Sequence, residues 1–314
     1  MRAVAVRKFK ERPERMELPK PVPGDGEILV HLGAAGVNPY DWKILDGLLD
    51  GKMPHVFPLI VGVDGAGAVD AVGPGVTRFA VGDGVFGQFF HAPVGTGTYA
   101  EYVVAPESIG IAKRPRGMYN EPAAAVPTPG MTALQALDEL GLAKRQTLLV
   151  LGAAGGVGSF AVQLAANQGI QTVAASRTPN RDYLLKLGAI RYYESSSKMF
   201  HDDVRAAYPN GLDAILDLTN SGPAFEENLD LLRPGGTVAS TIGAATEPAT
   251  APKGVTGLNI ALHPRAELLD RLSAMYTKGQ LRIPIEQKSP LDSAADLLDA
   301  SRQGTLRGKA VLVI

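Results

Sequence analysis

The sequence contains no cysteine among its 314 residues, and this absence excludes disulfide bonds, thiolate catalysis and cysteine-ligated zinc. It has almost no net charge, because 31 Lys and Arg face 32 Asp and Glu, so nothing favours nucleic acid or an anionic membrane as a partner. It also lacks an apolar stretch long enough to span a bilayer, and its first residues lack the apolar region of a signal peptide. We therefore expect a cytoplasmic protein that acts on small molecules.

The chain is long enough for two domains, and its texture changes along its length. Residues 1–117 are rich in Gly, Pro and Val with short alternating runs, which predicts a mostly antiparallel, barrel-like β domain. Residues 118–262 alternate strands and helices, which predicts an α/β doubly wound parallel sheet. Residues 263–314 are expected to return to the first domain and leave a ligand cleft between the two. The parallel strands are expected near 148–151, 172–175, 190–193, 213–216, 237–241 and 258–262.

The most informative stretch covers residues 147–158 and reads TLLVLGAAGGVG. A short apolar run followed by glycines and an apolar helix directs helix N-terminal amides at a phosphate. The fingerprint G-x-G-x-x-G is met in part, with Ala153, Gly155 and Gly158 at its glycine positions. A plain tight turn would share these glycines, but the flanking strand and helix favour a dinucleotide site. We expect its contacts to come from Ala154, Gly155, Gly156 and Val157.

The end of the next predicted strand indicates which dinucleotide would bind. A free ribose 2′-hydroxyl is usually met by Asp or Glu at this point, and here the chain reads Ser176-Arg177-Thr178 with Arg181 close behind. A hydroxyl and a planar guanidinium suit a 2′-phosphate. Ser176, Arg177 and Arg181 therefore favour NADPH over NADH, although two solvated arginines at a helix start would give the same sequence.

With these motifs in place, the chain resembles the medium-chain dehydrogenase/reductase superfamily, and within it the zinc-free, zeta-crystallin-like quinone oxidoreductases. The resemblance covers essentially the whole length, and its strength lies in the order and spacing of short landmarks. It implies a GroES-like catalytic domain, a Rossmann domain that binds NADP, and a homodimer. The landmarks are GVNPYDWK at 36–43, GVDGAG at 62–67, GDGVFG at 82–87, GTYAEY at 97–102, PGMTAL at 129–134, AAGGVG at 153–158 and GTLRGK at 304–309.

Three departures from the zinc-dependent members of the superfamily bear on the chemistry. Asn38 stands where those enzymes have a Cys ligand, Val63 stands where they have a His ligand, and the four-cysteine structural zinc segment is absent. The five histidines of the chain show no ligand-like spacing, so no metal is expected. Without a metal to polarise a carbonyl, a substrate that is already electrophilic is favoured, such as a quinone or an α,β-unsaturated carbonyl.

The resemblance also implies site residues. Asn38, Tyr40 and Lys43 would line the nicotinamide end of the cleft and stabilise a developing oxyanion, although Asn-Pro is also a common start of a turn. The family's adenosine-side tyrosine aligns with Ser195, just after Tyr192 and Tyr193, which leaves open which of them contacts the cofactor. Further cofactor contacts are expected from Thr132, Ile242, Gly243, Ala244, Asn259 and Lys309.

These expectations combine into a zinc-independent oxidoreductase that transfers hydride from NADPH to a quinone or an enone. Two alternatives stay open at this point. One is reduction of a 2-enoyl thioester, which a basic patch for a coenzyme A arm would favour. The other is a protein that binds NADPH as a structural or sensing device without useful turnover.

Overall fold

A computed structural model describes residues 1–314 and separates them into two units. The domain limits predicted above stay a prediction, since they were drawn from motifs rather than from contacts. The first unit comprises Met1–Met131, Pro264–Thr277 and Ile283–Ile314, and the second comprises Thr132–His263 and Lys278–Arg282.

The amino-terminal part of the first unit consists mainly of short, largely buried strands, with two helices. Pro39 begins the first helix, where its fixed φ and missing N–H are tolerated. The elements are β1 (Arg2–Val6), β2 (Glu14–Glu17), β3 (Glu27–Gly36), α1 (Pro39–Leu45), β4 (His55–Ile60), β5 (Asp64–Val72), β6 (Gly84–Gln88), β7 (Val94–Thr96), β8 (Tyr102–Pro106), β9 (Ile111–Lys113) and α2 (Asn120–Ala125).

Strands and helices then alternate through the second unit. The first helix of this part starts in the first unit and continues into the second. The elements are α3 (Pro127–Leu140), β10 (Thr147–Leu151), α4 (Gly156–Asn167), β11 (Gln171–Ser176), α5 (Arg181–Lys186), β12 (Arg191–Glu194), α6 (Phe200–Ala207), β13 (Leu212–Asp217), α7 (Pro223–Leu229), β14 (Leu232–Ser240), α8 (Glu247–Thr250) and β15 (Thr256–Asn259).

The carboxyl-terminal segment completes the first unit. Its elements are α9 (Ala266–Thr277), β16 (Ile285–Pro290), α10 (Ala294–Arg302) and β17 (Lys309–Val313), with a short 3₁₀ turn at Leu291–Ser293. A second 3₁₀ turn, Ala251–Lys253, lies between α8 and β15 in the second unit. Strand β17 pairs with β3, so the end of the chain lies in the same sheet as residues near its start.

Two sheets form the first unit. One has the order β2-β1-β4-β7, and the other has the order β16-β17-β3-β5-β6-β9 with β8 also paired to β3. All pairs are antiparallel except β4 with β7 and β16 with β17. The mostly antiparallel character predicted from the sequence is confirmed.

The second unit contains one parallel sheet in the order β12-β11-β10-β13-β14-β15. Strand β10, TLLVL, is buried at four of its five positions, as expected for a parallel strand covered on both faces. Helix α4 is buried along an unbroken stretch from Gly158 to Ala165. Counted from β10, this is the 3-2-1-4-5-6 order of a dinucleotide-binding fold, so the predicted Rossmann sheet is confirmed.

Candidate active site

The carboxyl ends of the parallel strands lie in register along one edge of the second unit's sheet. Leu151 pairs with Ala175 on one side and with Asp217 on the other, and Ser240 connects Asp217 with Asn259. The chain leaves β10 in opposite directions to reach β11 and β13. Open α/β sheets bind ligands at such a reversal point, so this edge is where the predicted cofactor residues are tested against geometry.

The glycine turn after β10 has two positions that no other residue could fill. Gly152 has a φ of 81°, which L side chains rarely adopt. A Cβ on Gly158 would lie 2.5 Å from the Gly152 carbonyl oxygen, so α4 contacts the turn only with glycine there. Ala153, at the first fingerprint position, is fully buried and has no positive φ. The partial match to the fingerprint therefore carries no strain.

The predicted residues Ala154, Gly155, Gly156 and Val157 all lie in this turn. Gly155 precedes the first residue of α4, and its amide donates to the Gly152 carbonyl at 3.0 Å. The amides of Gly156, Val157 and Gly158 form the first turn of α4 and have no acceptor within the chain. Unpaired N–H groups at the positive end of a twelve-residue helix favour an anion.

The predicted residues Ser176, Arg177 and Arg181 surround the end of β11. Ser176 is buried and ends the strand. Arg177 is exposed, and its guanidinium has no hydrogen-bond or ion-pair partner in the chain. Arg181 is exposed and 4.0 Å from Asp182. One carboxylate, Glu194, lies across from Ser176 in the ladder and is exposed. The edge thus offers an unpaired guanidinium beside a strand end.

The predicted residues 242–244 form the turn after β14, and Asn259 holds it. The Ser240 hydroxyl oxygen accepts hydrogen bonds from the amides of Ile242 at 3.2 Å and Ala244 at 3.1 Å. The Asn259 side chain donates to the Ala245 carbonyl at 2.9 Å and accepts from the Ala245 amide at 3.1 Å. Both ends of the Asn259 amide are thus used within the chain, so this residue shapes the turn.

The two remaining predicted cofactor residues belong to other elements, α3 and β17. Thr132 is 7% exposed within α3. Lys309 begins β17 in the first unit, where its Nζ donates to the Val37 carbonyl at 2.6 Å and to Asn38 Oδ1 at 2.7 Å. At 3% exposure, Lys309 lies in a buried group with the predicted catalytic residue Asn38, and its predicted contact with the cofactor stays a prediction.

Asn38 is held from three sides in a buried polar network. Its Oδ1 accepts from Lys309, and its Nδ2 donates to Asp64 Oδ2 at 2.9 Å. The Thr128 hydroxyl donates to Asp64 Oδ1 at 2.7 Å, and Gln88 Nε2 donates to that hydroxyl oxygen at 2.6 Å. Both ends of the Asn38 amide are therefore occupied, which makes orientation of the turn before α1 its visible role.

Asp41 connects the same turn to the start of β5. Its Oδ2 accepts from the Asn38 amide at 2.8 Å and from the Tyr99 hydroxyl at 2.9 Å, and its Oδ1 accepts from the Val63 amide at 3.2 Å. The carboxylate is fully buried. One side chain thus fixes the backbone of Asn38 and of Val63, the two positions at which the sequence departs from zinc-dependent enzymes.

The buried charges of this network perturb one another. Burial raises the pKa of Asp41 to about 7, against the hydrogen bonds from Asn38 and Tyr99 that favour its charged form. Burial also raises the pKa of Asp64, and the Lys309 ammonium opposes that rise. Burial lowers the pKa of Lys309, and the two carboxylates oppose that fall. The ammonium and the carboxylates therefore depend on each other to stay charged.

Tyr40 and Lys43, the other predicted catalytic residues, lie on α1. The half-buried Tyr40 ring packs edge-to-face on Phe90 with centroids 5.6 Å apart, and burial raises the pKa of its hydroxyl. Lys43 Nζ lies 5.6 Å from the Trp42 ring centroid. Phe90 also lines a small open pocket in the first unit, together with Ile44, Val63 and other mostly apolar residues. An apolar space thus opens beside the aromatic neighbour of Tyr40.

The structure shows neither a cluster of metal ligands nor a membrane-spanning helix. It holds no cluster of three or more His, Cys, Asp or Glu side chains that could bind a metal ion. None of its helices combines the length and the apolar character needed to cross a membrane.

Comparison with known proteins decides the family. Residues 24–116 match the model of the alcohol dehydrogenase GroES-like domain, and residues 156–265 match that of the zinc-binding dehydrogenases. A chloroplast envelope quinone oxidoreductase homolog from Arabidopsis thaliana is 33% identical over 314 residues, which span 95% of this chain and 93% of the relative. This chain belongs to the quinone oxidoreductases of the medium-chain dehydrogenase/reductase superfamily. The family, the GroES-like fold and the Rossmann fold predicted from the sequence are confirmed.

Two further similarities extend the comparison for this member of the quinone oxidoreductase family. A 2-methylene-furan-3-one reductase from Solanum lycopersicum is 30% identical over 296 residues, which span 92% of this chain and 72% of the relative. A mycobacterial protein solved in complex with NADPH has a TM-score of 0.88 and 26% identity, with full coverage of both chains. The chain is thus an oxidoreductase of the type that reduces quinones and enones.

Sequence reasoning missed several residues that build the site of this quinone oxidoreductase. Asp64 was read only as part of a landmark, although a carboxylate inside the apolar run VGVDGAGAV signals a buried partner. Asp217, fully buried at the end of β13, accepts from the amides of Thr219 and Asn220 at 3.0 and 2.9 Å. It holds the turn beside Gly152, because the Thr219 methyl carbon would meet a Cβ on Gly152 at 2.7 Å. Nothing in the local sequence marks that packing.

Proposed function

We propose that this oxidoreductase uses NADPH to reduce a quinone or an α,β-unsaturated carbonyl, and that it does so without a catalytic metal. The observation that carries the proposal is the sheet edge of the second unit. There, unpaired amides of α4 accompany an unpaired guanidinium, Arg177, at the end of β11. Amides would bind the pyrophosphate and the guanidinium would bind a 2′-phosphate.

The residues present fit NADPH. The turn at Gly152 and Gly158 has no room for side chains, so a diphosphate can approach the backbone of α4 closely. Ser176 and Arg177 occupy the place where an acidic residue would select the unmodified ribose of NADH. Support also comes from the mycobacterial structural neighbour, which was solved with NADPH.

The two residues that stand where zinc-dependent members have their ligands support a reaction without a catalytic metal. Asn38 is bound to Lys309 and Asp64, and Val63 offers only an apolar side chain. Neither supplies the Cys or His ligand that a zinc site of this superfamily requires. The Solanum relative is named for an enone, in which the charge left by a hydride spreads over a conjugated system without help from a metal.

The chain's own groups then have distinct roles. When bound, NADPH supplies the hydride. The amides of α4 and the turn held by Asn259 orient it, and Asn38, Asp41 and Lys309 fix the start of α1. The Tyr40 hydroxyl and the Lys43 ammonium are the groups on α1 that would stabilise the substrate oxygen as it gains charge. A proton from water completes the two-electron reduction to a hydroquinone or a saturated ketone.

A turnover assay tests the proposal. Purified protein is mixed with NADPH or NADH and a panel of quinones, enones and one 2-enoyl thioester, with and without a chelator. We expect oxidation of NADPH by quinones or enones that the chelator does not change. Loss of activity on chelation would overturn the metal-free mechanism. Preference for the thioester would support the first alternative, and NADPH binding without turnover on any acceptor would support a sensor.

A further inference from the structure

The turn that carries Arg177 is held by an unusual concentration of hydrogen bonds on one atom. The Thr178 carbonyl oxygen accepts from the Ser176 hydroxyl at 2.7 Å, from Asn180 Nδ2 at 3.0 Å and from the Tyr192 hydroxyl at 3.0 Å. Two of these donors belong to the turn itself. The third, Tyr192, reaches it from the neighbouring strand β12.

Tyr192 also serves the other side of the turn. Its hydroxyl oxygen is the acceptor for the Asn180 amide at 3.3 Å and lies 3.3 Å from the Ser176 hydroxyl. Asn180 precedes α5 and is 7% exposed, so its amide has no ready access to water. A single hydroxyl therefore connects the strand end, the middle of the turn and the start of the helix.

The neighbours of Tyr192 do not share this role. Tyr193 packs edge-to-face on Phe200 with centroids 6.3 Å apart, and its hydroxyl accepts from Arg191 at 3.4 Å. Ser195 meets the turn through its backbone, whose amide donates to the Ser176 carbonyl at 2.9 Å. Of the three residues that the sequence left as alternatives, only Tyr192 directs a side-chain polar group to the turn.

We propose that Tyr192 is a positioning residue for cofactor choice: it fixes the 176–180 turn so that Arg177 is presented to the 2′-phosphate of NADPH. This inference rests on the proposed function. The Arg177 guanidinium has no hydrogen-bond or ion-pair partner in the chain, so its place depends on the backbone that carries it, whose carbonyl at this residue accepts from the Ser196 hydroxyl at 2.8 Å. A preformed turn avoids the ordering cost that a mobile one would meet on binding the phosphate. NADH, which lacks that phosphate, gains nothing from the ordered turn.

The test compares Tyr192→Phe with Tyr193→Phe in direct binding of NADPH and NADH, measured by calorimetry. Tyr192→Phe removes only the hydroxyl, leaving the Asn180 amide unpaired and the Thr178 carbonyl with two donors. We expect the Kd for NADPH to rise about 3- to 10-fold, the range for one or two neutral hydrogen bonds, while the Kd for NADH changes less than about 2-fold. Tyr193→Phe, which loses one exposed contact, should change neither. Thermal melts of both variants confirm that they fold.

The Arg177→Ala background decides how Tyr192 acts. If Tyr192 acts through Arg177, adding Tyr192→Phe to Arg177→Ala does not raise the Kd for NADPH any further. The inference is overturned if Tyr192→Phe weakens NADPH binding as much in the Arg177→Ala background as in the wild-type protein. It is also overturned if Tyr192→Phe weakens the binding of NADPH and NADH equally. In both cases the proposed cofactor choice stands. A wild-type protein with no preference for NADPH overturns that choice, and the inference with it.

Discussion

The buried ammonium of Lys309 gives the sharpest test of the first unit. Its Nζ donates to the Val37 carbonyl and to Asn38 Oδ1, and it lies among the fully buried carboxylates of Asp41 and Asp64. Lys309→Met keeps most of the side-chain volume and removes the charge. The substitution therefore isolates the electrostatic contribution from packing.

The expected cost follows from what the ammonium leaves behind. Two acceptors lose their donor, and Asp64 loses the positive charge that opposes the effect of burial on its pKa. Leaving a buried carboxylate without its compensating charge costs about 3–5 kcal/mol. For a unit of this size, that corresponds to a melting point lower by about 6–20 °C.

The single tryptophan of the chain makes the assay selective. Trp42 lies in α1, next to Asp41, so its fluorescence follows unfolding of the first unit in urea or on heating. Circular dichroism of the whole chain, recorded beside it, shows whether the second unit unfolds separately. Both probes are needed because two units need not unfold in one transition.

Two further variants control the measurement. Lys288→Met removes an ammonium of the same unit whose 3.0 Å ion pair with Glu121 is solvent-accessible, and it should cost less than about 1 kcal/mol. Adding Asp64→Asn to Lys309→Met should restore part of the lost stability, because the Asp64 carboxylate is then no longer buried without the ammonium and the Asn38 amide is free to flip. A Lys309→Met protein as stable as Lys288→Met, or a double variant no better than the single one, would refute the reasoning.

Three other expectations follow. Arg177→Ala should weaken NADPH by about 1–3 kcal/mol, or roughly 5- to 150-fold, and leave NADH nearly unchanged in a calorimetric titration; equal losses would remove Arg177 from the phosphate site. Gly158→Ala should abolish nucleotide binding and destabilise the second unit, whereas Gly155→Ala, whose Cβ would lie 3.3 Å from the nearest atom, should be far milder in the same melts and titrations. Because folded Asp41 keeps its proton up to about pH 7 and the unfolded chain loses it near 4, Trp42-detected stability should fall as pH rises from about 5 to about 7. A profile equally steep in Asp41→Asn would exclude this residue as the cause.

The sequence predicts the fold well where the apolar residues of an element form a continuous or regular pattern. The run at 148–151 and the glycines after it lead directly to β10 and α4, because both elements are buried almost throughout. It predicts less where burial is partial. The alternation of strands and helices predicts a helix between β12 and β13 but no bounds for it, because only Phe200 and Val204 are buried in α6, too few to establish a helical period. Strand β15 ends at Asn259, whereas 258–262 was expected, because the apolar residues after it continue past the last ladder pair.

In the candidate site, the features set by local sequence were predicted and those made by distant side chains were not. Backbone-determined features, such as the amides of α4 and the strand end at Ser176, follow from local sequence and were predicted. Features made by side chains far apart in the sequence were not. Lys309 meets Asn38 across 271 positions, and Tyr192 meets Thr178 from another strand. Only the folded sheets bring such groups together, so the buried network around Lys309 was not predicted, and its contact with the cofactor stays a prediction.

That network also explains why the departures at Asn38 and Val63 from the zinc-dependent pattern belong together. Asp41 binds the backbone of both Asn38 and Val63, and Lys309 places a positive charge 2.7 Å from the Asn38 side chain. A dication returned to this position would be repelled by the ammonium, and replacing only one of the two residues by a ligand would leave that repulsion in place. The ammonium already neutralises one of the buried carboxylates and fixes the turn before α1. The same set of side chains thus keeps the turn ordered and would oppose a metal ion at this position.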